Sequence, residues 1–295
     1  MSTKHEHIDA AASVSGEQAA PIYQAASIPA TEVRHIQAKN IDQKFRISVA
    51  LPYSYPDDPQ KHYPVIYLVD PQLYFGMVTE QTRIMARLPR FPETIVVGIG
   101  YPLDAPLEEI WKKGSALRAR DLTPISDSGA EKRLEEYLKA GPVPTGGAKQ
   151  FLQFIQDALV PLIESEYRAD STNRVLAGHS YGGLFVLYAL FHQPELFSRY
   201  VAGSPSLGFG DKVTFRYESE FAKTHKALAA KLYLSVGGLE ESAEDSSVSD
   251  LLQFAALVES RKYEGFSLSR QIFEDCDHAA ATGPAFCSGL MSLFR

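Results

Sequence analysis

The sequence predicts an α/β architecture, a mostly parallel eight-stranded sheet with helices on both faces and a cap inserted after the fourth strand. Three observations point to it. β-rich runs recur from residue 31 onward, helical segments separate them from the third run on, and YPVIYLVD, TIVVGIGY and RVLAGHS are almost continuously apolar. A strand covered on both faces has no side to leave polar, so unbroken apolar runs mark buried parallel strands. With 295 residues, 45% of them hydrophobic, the chain is long enough to bury one large core, and a single domain is expected over 31–295.

Taken in order, residues 1–30 are polar, Ala- and Ser-rich and without periodicity, which predicts a flexible tail or a loosely packed edge. Strands at 31–39 and 44–52 lie close together and alternate apolar with polar, as an antiparallel edge pair does. Strands at 63–70 and 94–101 follow, with a helix over 72–88 between them. More than forty residues then precede the next clear helix, too many for an ordinary connection. The segment 102–147 is therefore expected to cap the site, partly helical around 131–140. A helix over 148–167 contains Pro161, where a kink is expected. The strand at 173–179 leads straight into a helix over 181–192. Strands at 199–205, 231–238 and 267–275, a helix over 249–262 and a closing helix over 280–294 complete the chain. In such sheets the ligand sits at the carboxyl ends of the strands.

Composition narrows the function. A net charge of −7 gives nothing that draws the whole protein to nucleic acid or an acidic membrane. The longest apolar run, 184–191, falls far short of the roughly 18 residues that suggest a membrane span. The N-terminus lacks the apolar stretch of a secretory signal, and two cysteines are too few for a disulfide framework. A cytoplasmic location is expected, with Cys276 and Cys287 as reduced thiols.

The fifth strand runs into Gly178-His179-Ser180-Tyr181-Gly182-Gly183 and then directly into LFVLYALF. Strand, sharp turn and helix with G-x-S-x-G spacing form a nucleophile elbow, the hallmark of the α/β-hydrolase fold. The serine must adopt a strained backbone so that its Oγ projects above the sheet, and the helix beginning there favours negative charge on the attacked oxygen. A serine hydroxyl needs a base, which in this fold follows the last strand. Of the eight histidines, His278 alone has that place, in Cys276-Asp277-His278. His179 reads as a packing neighbour, since adjacent strand residues face opposite ways. The acid should follow strand seven, where Glu240 is chosen to orient His278; Glu241, Glu244, Asp245, Asp275 and Asp277 are alternatives nearby, and a serine–histidine pair without an effective carboxylate is a further one. No H-E-x-x-H or paired metal-ligand spacing occurs, which disfavours a zinc hydrolase.

With these residues placed, the chain resembles the esterase family of α/β-hydrolases, in particular the ferric-siderophore esterases that act on enterobactin, salmochelin or bacillibactin. The resemblance runs over about residues 33–294. It is carried by LPYSYPDDPQKHYPVIYLVD with Tyr74-Phe75, VVGIGYP, the run from Arg118 to Pro124, FLQFIQDALVPLIESEYR, GHSYGG, LYLSVGGLEE and DHAAATGPAFCSGL. It implies carboxyl-ester hydrolysis of a small-molecule substrate without a cofactor, with Ser180 and His278 as the catalytic pair. Thioester hydrolysis, acyl transfer and a non-catalytic ligand-binding relative are the rivals. The fold's oxyanion hole uses the N–H of the residue after the nucleophile, here Tyr181, and one from the loop after strand three. Where the family usually has Asp-Gly, this chain has Asp70-Pro71; proline has no N–H, so Gln72 is the expected second donor. Arg118 and Arg120 are the expected substrate-binding residues of the cap, although their forks could instead pair with Asp121 or a neighbouring acid and anchor it. Residues 102–146 hold seven Lys or Arg against eight Asp or Glu, so no basic funnel is expected.

Overall fold

The computed structural model describes residues 26–103, 106–243 and 245–295. Most of the expected tail, 1–25, lies outside these residues. All eight expected strands form, as β1 (Thr31–Ala38), β2 (Gln43–Ala50), β3 (Tyr63–Val69), β4 (Ile95–Gly100), β5 (Ala169–His179), β6 (Arg199–Gly203), β7 (Lys231–Gly237) and β8 (Ser267–Phe273). They make one sheet in the order β1-β2-β4-β3-β5-β6-β7-β8. β1 and β2 pair antiparallel, as does β2 with β4, and every other pair is parallel. This is the α/β-hydrolase fold.

β3 shows why its run is nearly all apolar. Tyr63, Val65, Tyr67 and Val69 enter the larger core cluster, while Ile66 and Leu68 enter a second one on the opposite face. Side chains alternate across a strand, so a strand with helices on both sides must be apolar at every position. On one face lie α1 (Pro71–Met85) and α9 (Thr282–Leu293); on the other lie α4 (Ala148–Phe154), α5 (Val160–Glu166), α6 (Tyr181–His192) and α8 (Ser247–Arg261). α6 is buried from Gly182 to Phe191, as its continuous apolar run requires.

Between β4 and α4 the cap contains α2 (Leu107–Leu122) and α3 (Ser128–Leu138), more helix than the expected stretch around 131–140. Asp127 caps α3 by accepting the Ala130 N–H at 2.9 Å. Ala119, Leu138 and Val143 form a small core with the Tyr181 ring against it, so the cap rests on the residue after Ser180. The kink expected at Pro161 takes the form of a π turn over Ile155–Leu159, closed by Val160 N–H donating to Ile155 O. The wider turn accommodates a proline that has no N–H to give. Outside the cap one helix was not expected: α7 (Phe209–Thr224), which packs on α6 and α8. Both cysteines are free thiols. Among the described residues no helix is long and apolar enough to cross a membrane.

Candidate active site

Ser180 stands between β5 and α6 with φ 62° and ψ −123°, a conformation that L residues rarely occupy. Two glycines make the turn feasible. A Cβ on Gly178 would lie 2.5 Å from the Gly182 carbonyl carbon, and one on Gly182 would lie 2.8 Å from Val69 Cγ2. The Ser180 N–H donates to Gly203 O at 2.9 Å, tying the turn to the end of β6.

His278 follows β8, its ring centroid 4.7 Å from that of His179, the residue before Ser180. Its Nδ1 lies 2.6 Å from Glu240 Oε2. A carboxylate only accepts, so Nδ1 carries a proton, and in the neutral ring this tautomer puts the lone pair on Nε2. Glu240, in a short 3₁₀ turn after β7, is buried, and its other oxygen accepts from Ser204 Oγ at 2.6 Å and Gly237 N–H at 2.8 Å. Burial alone would raise this carboxyl's pKa. The hydrogen bonds from His278, Ser204 and Gly237 outweigh it and hold the group below its ordinary value.

Three of the alternative acids are occupied elsewhere, and Asp275 is exposed at the surface. Glu241 accepts from Ser249, Asp245 from Ser247, and Asp277 from the N–H groups of Ala279 and Ala280. Glu244 lies outside the described residues. Ser204 carries no signal of this role in the sequence. It sits just past β6 with a positive φ of 37°, and no motif spacing marks it.

Gln72 and Tyr181 both lie in the first turn of a helix, α1 and α6, where N–H groups have no partner within the helix. Arg118 and Arg120 are committed inside the protein. Arg118 grips Asp70 with Nε and Nη2, both at 2.8 Å, and Arg120 grips Asp121 at 2.7 and 2.9 Å. A cleft lined by Gln72, Leu73, Ile110, Trp111 and Arg118 opens between the start of α1 and α2. Among the described residues no group of three His, Cys, Asp or Glu is placed to hold a metal ion.

A family model described as "Putative esterase" matches residues 38–281. The chain belongs to this esterase family. It is 35% identical over 221 residues to the ferri-bacillibactin esterase BesA of Bacillus subtilis (strain 168), covering 73% of this chain and 72% of that one. It is 29% identical over 283 residues to a siderophore enterobactin esterase of Emericella nidulans, covering 85% and 90%. Among solved structures, the BES protein from Bacillus cereus is similar at a TM-score of 0.78 and 25% identity, over 93% of this chain and 99% of that one. An IroE-like serine hydrolase from Shewanella oneidensis is similar at 0.74 and 26%, over 90% and 80%. Membership in the esterase family makes an ester the class of bond to set against the geometry around Ser180.

Proposed function

We propose that the protein is a serine esterase that hydrolyses the carboxyl esters of a siderophore through an acyl-enzyme. The observation that carries the reading is the buried Glu240 hydrogen-bonded to His278 Nδ1 beside a serine held in a strained elbow. That tautomer leaves Nε2 able to take the Ser180 proton as Oγ attacks the ester carbonyl. The N–H groups of Gln72 and Tyr181 receive the oxyanion, the protonated His278 returns its proton to the leaving alcohol, and water discharges the acyl-enzyme by the reverse path. The siderophore part of the reading rests on the named relatives. Arg118 and Arg120 serve the cap first in this account; an anionic arm of the substrate would meet only the N–H edges their carboxylates leave over.

Purified protein should open cyclic trilactone siderophores in a mass-detected screen, ahead of p-nitrophenyl esters and acyl-glutathione thioesters. Ser180→Ala and His278→Ala should each lose at least about 10⁴-fold in kcat, and Glu240→Gln about as much. A fluorophosphonate should label Ser180 alone. Turnover persisting in Ser180→Ala would sink the assignment, and thioesters outpacing every ester would redirect the substrate class.

A further inference from the structure

The loop carrying Gln72 is gripped from two sides. Asp70, between β3 and α1, lies in the left-handed region, φ 55° and ψ 46°, which a non-glycine residue keeps only when its surroundings hold it there. Pro71 follows, its ring seated on β4. A Cβ on Gly98 would lie 2.6 Å from Pro71 Cβ, and one on Gly100 would lie 2.7 Å from Pro71 Cγ. The two glycines are two positions apart, hence on the same face of the strand, and together they open the seat for the ring.

From the other side comes Arg118 of α2. Its fork holds both carboxylate oxygens of Asp70 at 2.8 Å, and the Asp70 side chain is 1% exposed. The same guanidinium lies over the Tyr181 ring, with Cζ 5.4 Å from the centroid. One cap side chain therefore touches the residue two before Gln72 and the residue that offers the other main-chain N–H.

We propose that Arg118 is a positioning residue of the oxyanion hole: by fixing Asp70 and covering Tyr181, it aims the two backbone donors at the same point. The inference rests on the serine-esterase reading above. Backbone N–H groups stabilise developing charge only where they meet the oxygen at hydrogen-bond distance, so a small swing of this loop weakens the transition state more than the bound substrate. Lysine offers a point charge and cannot reproduce the two-point grip. A substrate-contacting arginine would behave differently, acting on ligand affinity and selectively on anionic ligands.

The test uses the full chain, a neutral and an anionic p-nitrophenyl ester, and a trifluoromethyl ketone that forms a charged adduct on the nucleophile. Arg118→Ala should lower kcat by about tenfold or more on both esters. KM should stay within about twofold, and the ketone's Ki should rise by the factor lost in kcat/KM. Arg118→Lys should not restore the loss. Asp70→Asn keeps a residue that tolerates the left-handed backbone and removes the charge, so it tests the grip even where Arg118→Ala folds poorly. Its kcat should fall comparably, and the double variant should be no worse than the poorer single one. Unchanged kcat in both single variants, or a KM rise confined to the anionic ester, overturns the proposal while an inactive Ser180→Ala keeps the esterase reading intact. An active Ser180→Ala overturns both.

Discussion

His179 sits directly before Ser180, fully buried, with its ring and that of His278 in a T-shaped contact and its Nε2 3.5 Å from Thr282 Oγ1. Burial, reinforced by the nearby His278, pulls its pKa down to about 3. In the unfolded chain the same imidazole takes a proton near its ordinary value of about 6.5. Between those values the unfolded state binds the extra proton, so stability present above pH 6.5 drains as pH falls, at up to about 1.4 kcal/mol per pH unit. Glu240 has a lowered pKa, so its contribution is lost only below the ordinary carboxylate range; His192, whose pKa burial also lowers, contributes between pH 5 and 7, and comparison with a His179 variant removes that shared part. Urea unfolding should show wild type losing more stability than His179→Gln between those two pH values; equal losses would mean that the native ring is protonated or solvated. At this scale the sequence was readable where position along the chain determines place in the fold. Ser180 follows from the elbow spacing and His278 from lying just after the last strand. Ser204 with Glu240, and Asp70 with Arg118, join residues 36 and 48 positions apart, and no local pattern reveals such partners.

Among the elements, the helices that escaped the sequence did so for identifiable physical reasons. α7 opens with Gly210, Asp211 and Lys212 all at positive φ, which breaks any helical pattern at its start. Further along, its buried face includes Glu218, fully buried because Arg261 grips both of its oxygens at 2.9 Å and the Tyr263 hydroxyl donates to one of them. A charged residue in the middle of the inward stripe hides the period that a hydrophobic one would announce. In the same way, the proline that suggested a kink did not tell which turn would widen to absorb it. α1 and α6 were readable because an apolar run follows each turn directly, and these two helices present the proposed donors. Gln72 lies in the first turn of α1, where a missing N–H costs the helix no internal bond. Gln72→Pro should therefore fold, as circular dichroism would register, yet lose about 10²–10³ in kcat, whereas Gln72→Ala should stay near wild type. A folded Gln72→Pro with full kcat would move the second donor to another residue.

Across the whole molecule, charge decides how a substrate arrives. The chain carries a net −7, and the cap segment 102–146 holds seven basic residues against eight acidic ones. The two cap arginines placed to attract an anion are already neutralised by Asp70 and Asp121. With that balance the cap segment offers an anionic ester no net attraction, so its capture is expected to fall to short-range contacts such as those offered by the cleft beside Leu73 and Trp111. Raising ionic strength from about 20 to about 200 mM shortens the screening length from about 20 Å to about 7 Å, which removes long-range repulsion and leaves close contacts largely intact. The expected result is a rise of up to a few fold in kcat/KM for an anionic ester and a flat profile for its neutral counterpart. Stopped-flow measurement of the acylation burst in both salts would separate capture from turnover, since only the second-order step should respond. A kcat/KM for the anionic ester that falls with salt would mean that attraction steers it, and would return Arg118 or Arg120 to direct contact with the ligand.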